Sequence, residues 1–181
     1  IMAMLKILKY LNIPLDDSFS KFQLPPGRSS IFKGIKNTVI LDSSYNADSE
    51  SMKVMLNMFS EFPAQRKWVV LGDLIEQGEI ERQEHEKLIP ILKSMDLQKI
   101  ILVGPRLKKY INPKISSESF INPADALEYI KINIRGGEML FFKGARFLEG
   151  IVEHLLQSPR DADKLCRREK VWQERRKKWK L

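Results

Sequence analysis

Short apolar segments alternate with longer amphipathic segments along most of the chain. Runs rich in β-branched and aromatic residues predict strands, and apolar positions at three- and four-residue spacing predict helices. The predicted strands are 38–41, 68–71, 100–103 and 139–142, with a short fifth at 119–121, and the predicted helices are 49–59, 80–95, 123–132 and 147–156. Strands separated by helices of this length form right-handed crossovers, so we expect an α/β fold with a Rossmann-like, mostly parallel sheet flanked by helices.

The two ends of the chain depart from this alternation. Residues 1–11 predict the end of an amphipathic helix, and residues 14–28, which contain three prolines, are typical of a linker and mark a domain boundary. From Asp161 the chain predicts a charged helix with Leu165, Val171 and Trp172 on one side.

Charge is concentrated at the C-terminus. The 181 residues carry 31 Lys and Arg against 23 Asp and Glu, a net charge of +8, and ten of the basic and four of the acidic residues fall within 160–181. The body is therefore nearly neutral, and the basic pI says little about what it binds. The lone Cys166 excludes an internal disulfide and fits a reducing cytoplasm, and no apolar run approaches the roughly 20 residues that span a bilayer.

Three predicted strands are followed by residues that could bind a ligand or take part in a reaction. The first is followed by Asp42, Ser43, Ser44, Tyr45 and Asn46, placed where open α/β sheets bind ligands. An ordinary β–α turn favours the same residue types, so this pattern alone leaves both interpretations open.

The second strand leads into a loop with Gly72, Asp73, Glu76 and Gly78, and His85 follows. Its carboxylates could orient a metal-bound water or an amine substrate, but solvated loop acids and a surface helical histidine are the simpler interpretation. The last strand delivers Lys143 and Arg146, with Gly144 between them, to a helix start, which suits a carboxylate or phosphate.

The basic tail offers a fourth candidate. Its Arg and Lys residues with Trp172 and Trp179 could contact nucleic-acid phosphates, although a solvated terminal helix is the favoured interpretation. The sequence contains no P-loop, no G-x-G-x-x-G after a strand, no metal-spaced Cys/His set and no G-x-S-x-G.

Four pieces, in this order, resemble the C-terminal domain of the Mur ligases, the ATP-dependent enzymes of peptidoglycan precursor synthesis, and especially their D-alanyl-D-alanine-adding members. They are 26–28 (Pro-Gly-Arg), 42–47 (Asp-Ser-Ser-Tyr-Asn-Ala) with Ser51 and Met52, 70–73 (Val-Leu-Gly-Asp) with Glu76, Gly78 and His85, and 143–146 (Lys-Gly-Ala-Arg). The resemblance implies that the chain is a fragment, with residues 1–24 ending a central ATPase domain, 25–158 forming the Mur ligase C-terminal domain and 159–181 forming a basic helical tail.

The resemblance also implies an activity. In this family ATP phosphorylates the carboxylate of a UDP-muramoyl peptide, and an amine, here D-alanyl-D-alanine, attacks the acyl phosphate to give an amide, ADP and phosphate. The central domain supplies the P-loop and most contacts to ATP and Mg²⁺, so the fragment alone is expected to be inactive. The implied partners are UDP-MurNAc-peptide and D-alanyl-D-alanine, and a cytoplasmic monomer without membrane insertion is expected.

Roles for individual residues follow from the same resemblance. The implied nucleotide contacts are Arg28, Asp42, Ser43, Tyr45 and Asn46. The D-alanyl-D-alanine carboxylate is expected at Lys143, Gly144 and Arg146, with supporting roles for Asp73, Glu76 and His85 and no metal ligand. The sequence departs from the family pattern at three places. Ser43 stands where the family has a second aspartate, and that aspartate is the expected ribose contact. Asp48-Ser49 replaces Asn-Pro, and Ala145 replaces serine.

Three other functions remain open at this point. The chain could belong to a Mur-type ligase with a different amine substrate, or be a non-catalytic module whose tail binds nucleic acid or an acidic membrane. It could also be a fold relative of the ligases that extend folates, although the Ser-Tyr-Asn-Ala and Lys-Gly-Ala-Arg runs argue against this.

Overall fold

The computed structural model describes residues 2–14 and 24–181, and it contains a six-stranded sheet with helices on both faces. The strands are β1 (Ser30–Lys33), β2 (Val39–Ser43), β3 (Lys67–Gly72), β4 (Lys99–Val103), β5 (Glu118–Phe120) and β6 (Met139–Lys143). The helices are α1 (Met2–Tyr10), α2 (Ser49–Ser60), α3 (Glu81–Glu86), α4 (Leu88–Ser94), α5 (Pro105–Tyr110), α6 (Pro123–Asn133), α7 (Leu148–Leu155) and α8 (Lys170–Lys177).

The sheet has the order β1-β2-β6-β3-β4-β5, and every neighbouring pair is parallel except β1 with β2. This confirms the predicted α/β fold with a mostly parallel sheet. The antiparallel edge strand β1 was not predicted, because its four residues carry only a weak alternating pattern. Most of the predicted linker, residues 15–23, lies outside the described residues.

The core lies in two layers, one on each face of the sheet. In β3, Trp68 and Val70 pack with the α6–α7 layer, whereas Val69 and Leu71 pack with the α2–α4 layer. Successive side chains of a strand point to opposite faces, so a strand that is buried on both sides must be apolar throughout. Polar side chains can therefore become accessible mainly where the central strands end.

The single helix predicted at 80–95 is wrong, since the segment forms α3 and α4 as separate helices. Pro90 lies in the first turn of α4 and has no N–H to donate to the carbonyl of Glu86, so a continuous helix would lack that hydrogen bond. The short helix α5 was not predicted.

The tail also differs from its prediction. It forms a 3-10 segment (Pro159–Lys164) and then α8, which begins at Lys170 rather than at Asp161. Arg167 between them has a left-handed backbone (φ 57°), which interrupts helical geometry. No helix among the described residues is long and apolar enough to cross a membrane.

One side of the tail packs against the body. Leu165 is 1% exposed and joins the α6–α7 layer of the core. Arg176 is 4% exposed and pairs with Glu149 and Glu153 of α7, while Arg168 makes a bidentate pair with Glu153. The favoured interpretation of a solvated terminal helix therefore holds for only part of the tail, because most of α8 is exposed but some of the tail's basic charge is matched to acidic groups of the body.

The ends of β3 and β6 approach each other unusually closely. A Cβ on Gly72 would overlap the backbone carbonyl of Ala145, and a Cβ on Gly144, which has a left-handed φ of 125°, would overlap the backbone of Gly72. The two glycines thus permit a backbone contact that no larger residue would allow.

We expect Gly72→Ala to lower the free energy of unfolding by about 3 kcal/mol, because the added methyl group must displace backbone rather than a flexible side chain. Gly78→Ala is the control, since Gly78 has open space around it and only its left-handed φ of 56° opposes a side chain; its expected cost is about 1 kcal/mol. Urea unfolding of both variants measures the difference. Equal losses would contradict the close approach.

Candidate functional site

The polar segments singled out in the sequence meet at one edge of the sheet. Strands β2, β6 and β3 are adjacent and parallel, so their carboxyl ends lie side by side. The Gly27–Arg28 segment joins them, since the backbone N–H of Tyr45 donates to the carbonyl of Gly27 over 3.2 Å. The four pieces of the sequence motif therefore surround one region.

A cavity of about 400 Å³ lies at this edge, on the α2 side. Its lining includes Arg28, Ser43, Tyr45, Asn46, Asp48 and Lys143. Ser43 and Lys143 are register partners in β2 and β6, so their side chains point the same way. Asp48 is held aside as the N-cap of α2, where its side chain accepts from the N–H of Ser51.

Lys143 gives this cavity a positive charge. Lys143 is only 4% exposed, and its ammonium donates to the carbonyl oxygen of Asn46 over 3.3 Å. Burial lowers the pKa of Lys143, the charge of Arg28 acts in the same direction, and Asp48 opposes them. Among the described residues its ammonium makes no ion pair within 4 Å, so an anion in the cavity would stabilise it.

Arg146 is engaged elsewhere, by the buried carboxylate of Asp73. Its Nε donates to Asp73 Oδ2 over 2.9 Å, and Asp73 Oδ1 accepts the backbone N–H groups of Arg106 and Leu107 at the start of α5. Lys143 and Arg146 thus have different partners, and the predicted carboxylate site that uses both stays a prediction. Gly144 lies between them at the contact with β3.

His85 is fully buried, so its interpretation as a surface helical histidine is wrong. Its Nδ1 donates to the carbonyl of Glu81 over 2.7 Å, and the N–H of Leu74 donates to its Nε2 over 3.2 Å. His85 therefore holds the loop that follows β3 against α3, and its supporting role stays a prediction. Glu76 in that loop is exposed and has a left-handed φ of 61°.

Asp42 lies on the opposite face of β2 from Ser43, towards α7. Its Oδ1 accepts the N–H of Ser44 over 3.0 Å, and its Oδ2 has no hydrogen-bond partner among the described residues. Burial raises the pKa of Asp42 to about 6, with a further rise from Glu149, whereas Ser44 and Arg167 oppose it. The nucleotide contact predicted for Asp42 stays a prediction.

A second cavity, of about 240 Å³, lies on the other side of Tyr45. It is lined by Tyr45, Asn46, Glu76, Arg167, Glu169 and Trp172, among others. Arg167 and Trp172 come from the tail and were not predicted at this site. They are more than 120 residues from Tyr45 along the chain, and the sequence carries no local signal of the contact.

Comparisons with known proteins identify the matching family. Residues 27–146 match the model of the family described as "Mur ligase, glutamate ligase domain". The UDP-N-acetylmuramoyl-tripeptide–D-alanyl-D-alanine ligase of Rickettsia prowazekii is 32% identical over 127 residues, which are 68% of this chain and 28% of that protein. The Bacillus subtilis ligase of the same name is 25% identical over 172 residues, covering 87% of this chain and 37% of the relative.

Solved structures share the fold. MurF from Acinetobacter baumannii superposes with a TM-score of 0.73 at 24% identity, covering 86% of this chain and 36% of that one. MurF ligase from Thermotoga maritima, solved in complex with ADP, gives a TM-score of 0.69 at 22% identity, covering 83% and 35%. The chain therefore spans little more than a third of these proteins.

We expect Asp42→Asn to become increasingly more stable than the wild type as pH rises. Since the pKa of Asp42 is raised from 3.8 to about 6 in the folded chain, the native state holds a proton that the unfolded state releases. The wild type is thus stabilised by this group below about pH 4 and loses that contribution as pH rises through about 6, a change of at most roughly 3 kcal/mol.

Urea unfolding at several pH values between 4 and 7 measures this difference. Asp96→Asn is the control, because Asp96 is exposed after α4 and its substitution should leave the pH dependence unchanged. A constant difference between Asp42→Asn and the wild type over this range would contradict the burial of a carboxylate with one unpartnered oxygen.

Proposed function

Because the chain belongs to the Mur ligase family, we propose that it is the C-terminal domain of an ATP-dependent ligase that adds D-alanyl-D-alanine to UDP-MurNAc-tripeptide. The observation that carries the proposal is the buried ammonium of Lys143, which faces the cavity beside Arg28 within the region that matches the family. Two relatives that carry this activity in their names support the choice of amine.

Lys143 is the proposed partner of an anionic group, and the terminal carboxylate of D-alanyl-D-alanine is the candidate. A cation with one carbonyl partner gains a charge-assisted hydrogen bond from such a ligand. Arg146 and Gly144 complete the proposed substrate contacts, with Asp73 orienting the Arg146 guanidinium. Neutralising and positioning of this kind is most of what a phosphoryl- and acyl-transfer site requires.

Arg28, Ser43, Tyr45 and Asn46 are the proposed nucleotide contacts. Arg28 is exposed, and its guanidinium lies 4.9 Å from the centroid of the Tyr45 ring, which leaves its charge available to a phosphate. ATP supplies the phosphoryl group that activates the peptide carboxylate. Asp42 lies on the other side of β2 and would support this site indirectly, by accepting a hydrogen bond from the N–H of Ser44.

The remaining parts of the site belong, in this proposal, to a longer protein. The 181 residues contain no P-loop motif, and the described residues hold no group of three or more His, Cys, Asp or Glu suited to a metal ion. In this proposal Mg²⁺ and most of the ATP contacts belong to a central domain, of which residues 1–24 would be the end. We propose that the enzyme acts as a monomer in the cytoplasm.

A binding test on the 181-residue chain addresses the substrate role. Titration with D-alanyl-D-alanine, followed by amide chemical shifts, should give weak saturable binding near Lys143. Lys143→Met should raise the dissociation constant about 10- to 150-fold, because a lost charge-assisted contact costs roughly 1.5–3 kcal/mol. Lys93→Met, on the exposed side of α4, is the matched control and should change nothing; equal affinities for wild type and Lys143→Met would exclude the carboxylate role.

Turnover separates this proposal from an autonomous enzyme. With ATP, Mg²⁺, D-alanyl-D-alanine and UDP-MurNAc-tripeptide, the chain alone should release no phosphate above background, and steady release would refute the assignment of catalysis to another domain.

Replacing D-alanyl-D-alanine by other amino acids or dipeptides in the titration tests a Mur-type ligase of different amine specificity, which would bind one of them more tightly.

A further inference from the structure

Five side chains from three distant segments form a continuous stack beside the Tyr45 turn. The guanidinium carbons of Arg28 and Arg167 lie 4.9 and 5.6 Å from the centroid of the Tyr45 ring. Arg167 also lies 5.1 Å from the centroid of Trp172, and Arg175 lies 4.7 Å from it. Cations and aromatic faces attract at these distances, so the arrangement links the turn to the tail.

Arg167 is also bonded directly to the backbone of the turn. Its Nη1 donates to the carbonyl of Ser44 over 3.3 Å, and its Nη2 donates to the carbonyl of Tyr45 over 2.6 Å. Nη1 further pairs with the buried Glu149 at 3.2 Å. One planar guanidinium therefore joins two consecutive carbonyls of the turn to a carboxylate of α7, a geometry that lysine cannot reproduce.

The tail is fixed on the body on both sides of Arg167. Cys166 is buried, its sulfur lies 3.9 Å from the hydroxyl of Ser44, and a Cβ on Gly27 would contact it. On the other side Arg176, which pairs with Glu149 of α7, donates to the carbonyl of Arg167 over 3.1 Å. The position of the Arg167 guanidinium is thus set by packing and does not depend on the turn alone.

We propose that Arg167 is a positioning residue, which fixes the Ser44–Tyr45 turn and, through the Tyr45 ring, the guanidinium of Arg28. Tyr45 lines both cavities and Arg28 lines the larger one, so an effect on them reaches the ligand site. Arg167 lies in the tail, beyond residues 27–146, which match the family model. The consequence for ligand affinity rests on the proposed function, whereas the consequence for the turn does not.

Amide hydrogen exchange on the 181-residue chain tests the structural half. The N–H groups of Ser44 and Tyr45 are bonded to Asp42 and to the carbonyl of Gly27. In Arg167→Ala these two amides should exchange at least about tenfold faster, while amides of the interior strand β4, such as that of Ile101, keep their protection. Unchanged exchange at Ser44 and Tyr45 would overturn the proposal.

Two further variants make this test specific. Arg168→Ala removes the neighbouring arginine, which pairs with Glu153 and makes no contact with the turn among the described residues, so it should leave Ser44 and Tyr45 protected. Arg167→Lys keeps the charge near Glu149 but cannot join both carbonyls, so it should restore protection only in part. If Arg168→Ala deprotects the turn as much as Arg167→Ala, general loosening of the tail explains the effect and the proposal fails.

Titration with ADP and Mg²⁺ tests the ligand half. The wild-type chain should bind ADP weakly, Arg167→Ala about tenfold more weakly, and Arg168→Ala as the wild type does. If the wild type binds neither ADP nor D-alanyl-D-alanine while Arg167→Ala still deprotects the turn, the positioning role stands and the proposed function fails. If the wild type binds ADP and Arg167→Ala binds it equally well, the proposed function stands and the positioning of the ligand site is refuted.

Discussion

The arrangement of the site depends on the hydrogen bonds of the buried Asp73. One carboxylate oxygen accepts the first N–H groups of α5, and the other accepts the Nε–H of Arg146. The backbone carbonyl of Asp73 accepts the N–H of Ala145. Three segments after β3, β4 and β6 are thereby fixed to one another. A carboxylate removed from water is tolerated only where charged and backbone donors replace its hydration, and here they do so from separate parts of the chain.

Because Asp73 binds Arg146, the two cations at the end of β6, Lys143 and Arg146, have different partners. Arg146 is oriented by Asp73, whereas Lys143, on the α2 side of the sheet, faces the larger cavity with a carbonyl as its hydrogen-bond partner. The charge that can meet an anionic ligand at least cost is therefore that of Lys143. The close backbone contact between Gly72 and Gly144 keeps the ends of β3 and β6 near enough for both arrangements.

The sequence predicted the sheet well because its strands are buried on both faces and read as continuous apolar runs. It also placed the motif residues at one edge, because parallel strands end together. The local pattern could not show that His85 is buried or that Asp42 faces α7, since these follow from how α3 and α7 pack. The position of Arg167 was hidden for the same reason, as its partners lie more than 120 residues earlier.

Part of the basic charge of the C-terminal tail is paired with a buried carboxylate of the body. Asp42 and Glu149 are both buried, and burial raises the pKa of each carboxyl. Arg167 and Arg176 approach Glu149 from the tail, so two of its cations offset negative charge that the body would otherwise bury without a partner. Arg167 pairs with Glu149 and also donates to the carbonyls of Ser44 and Tyr45, so it holds the tail against the Tyr45 turn, and through this contact the tail can influence the site.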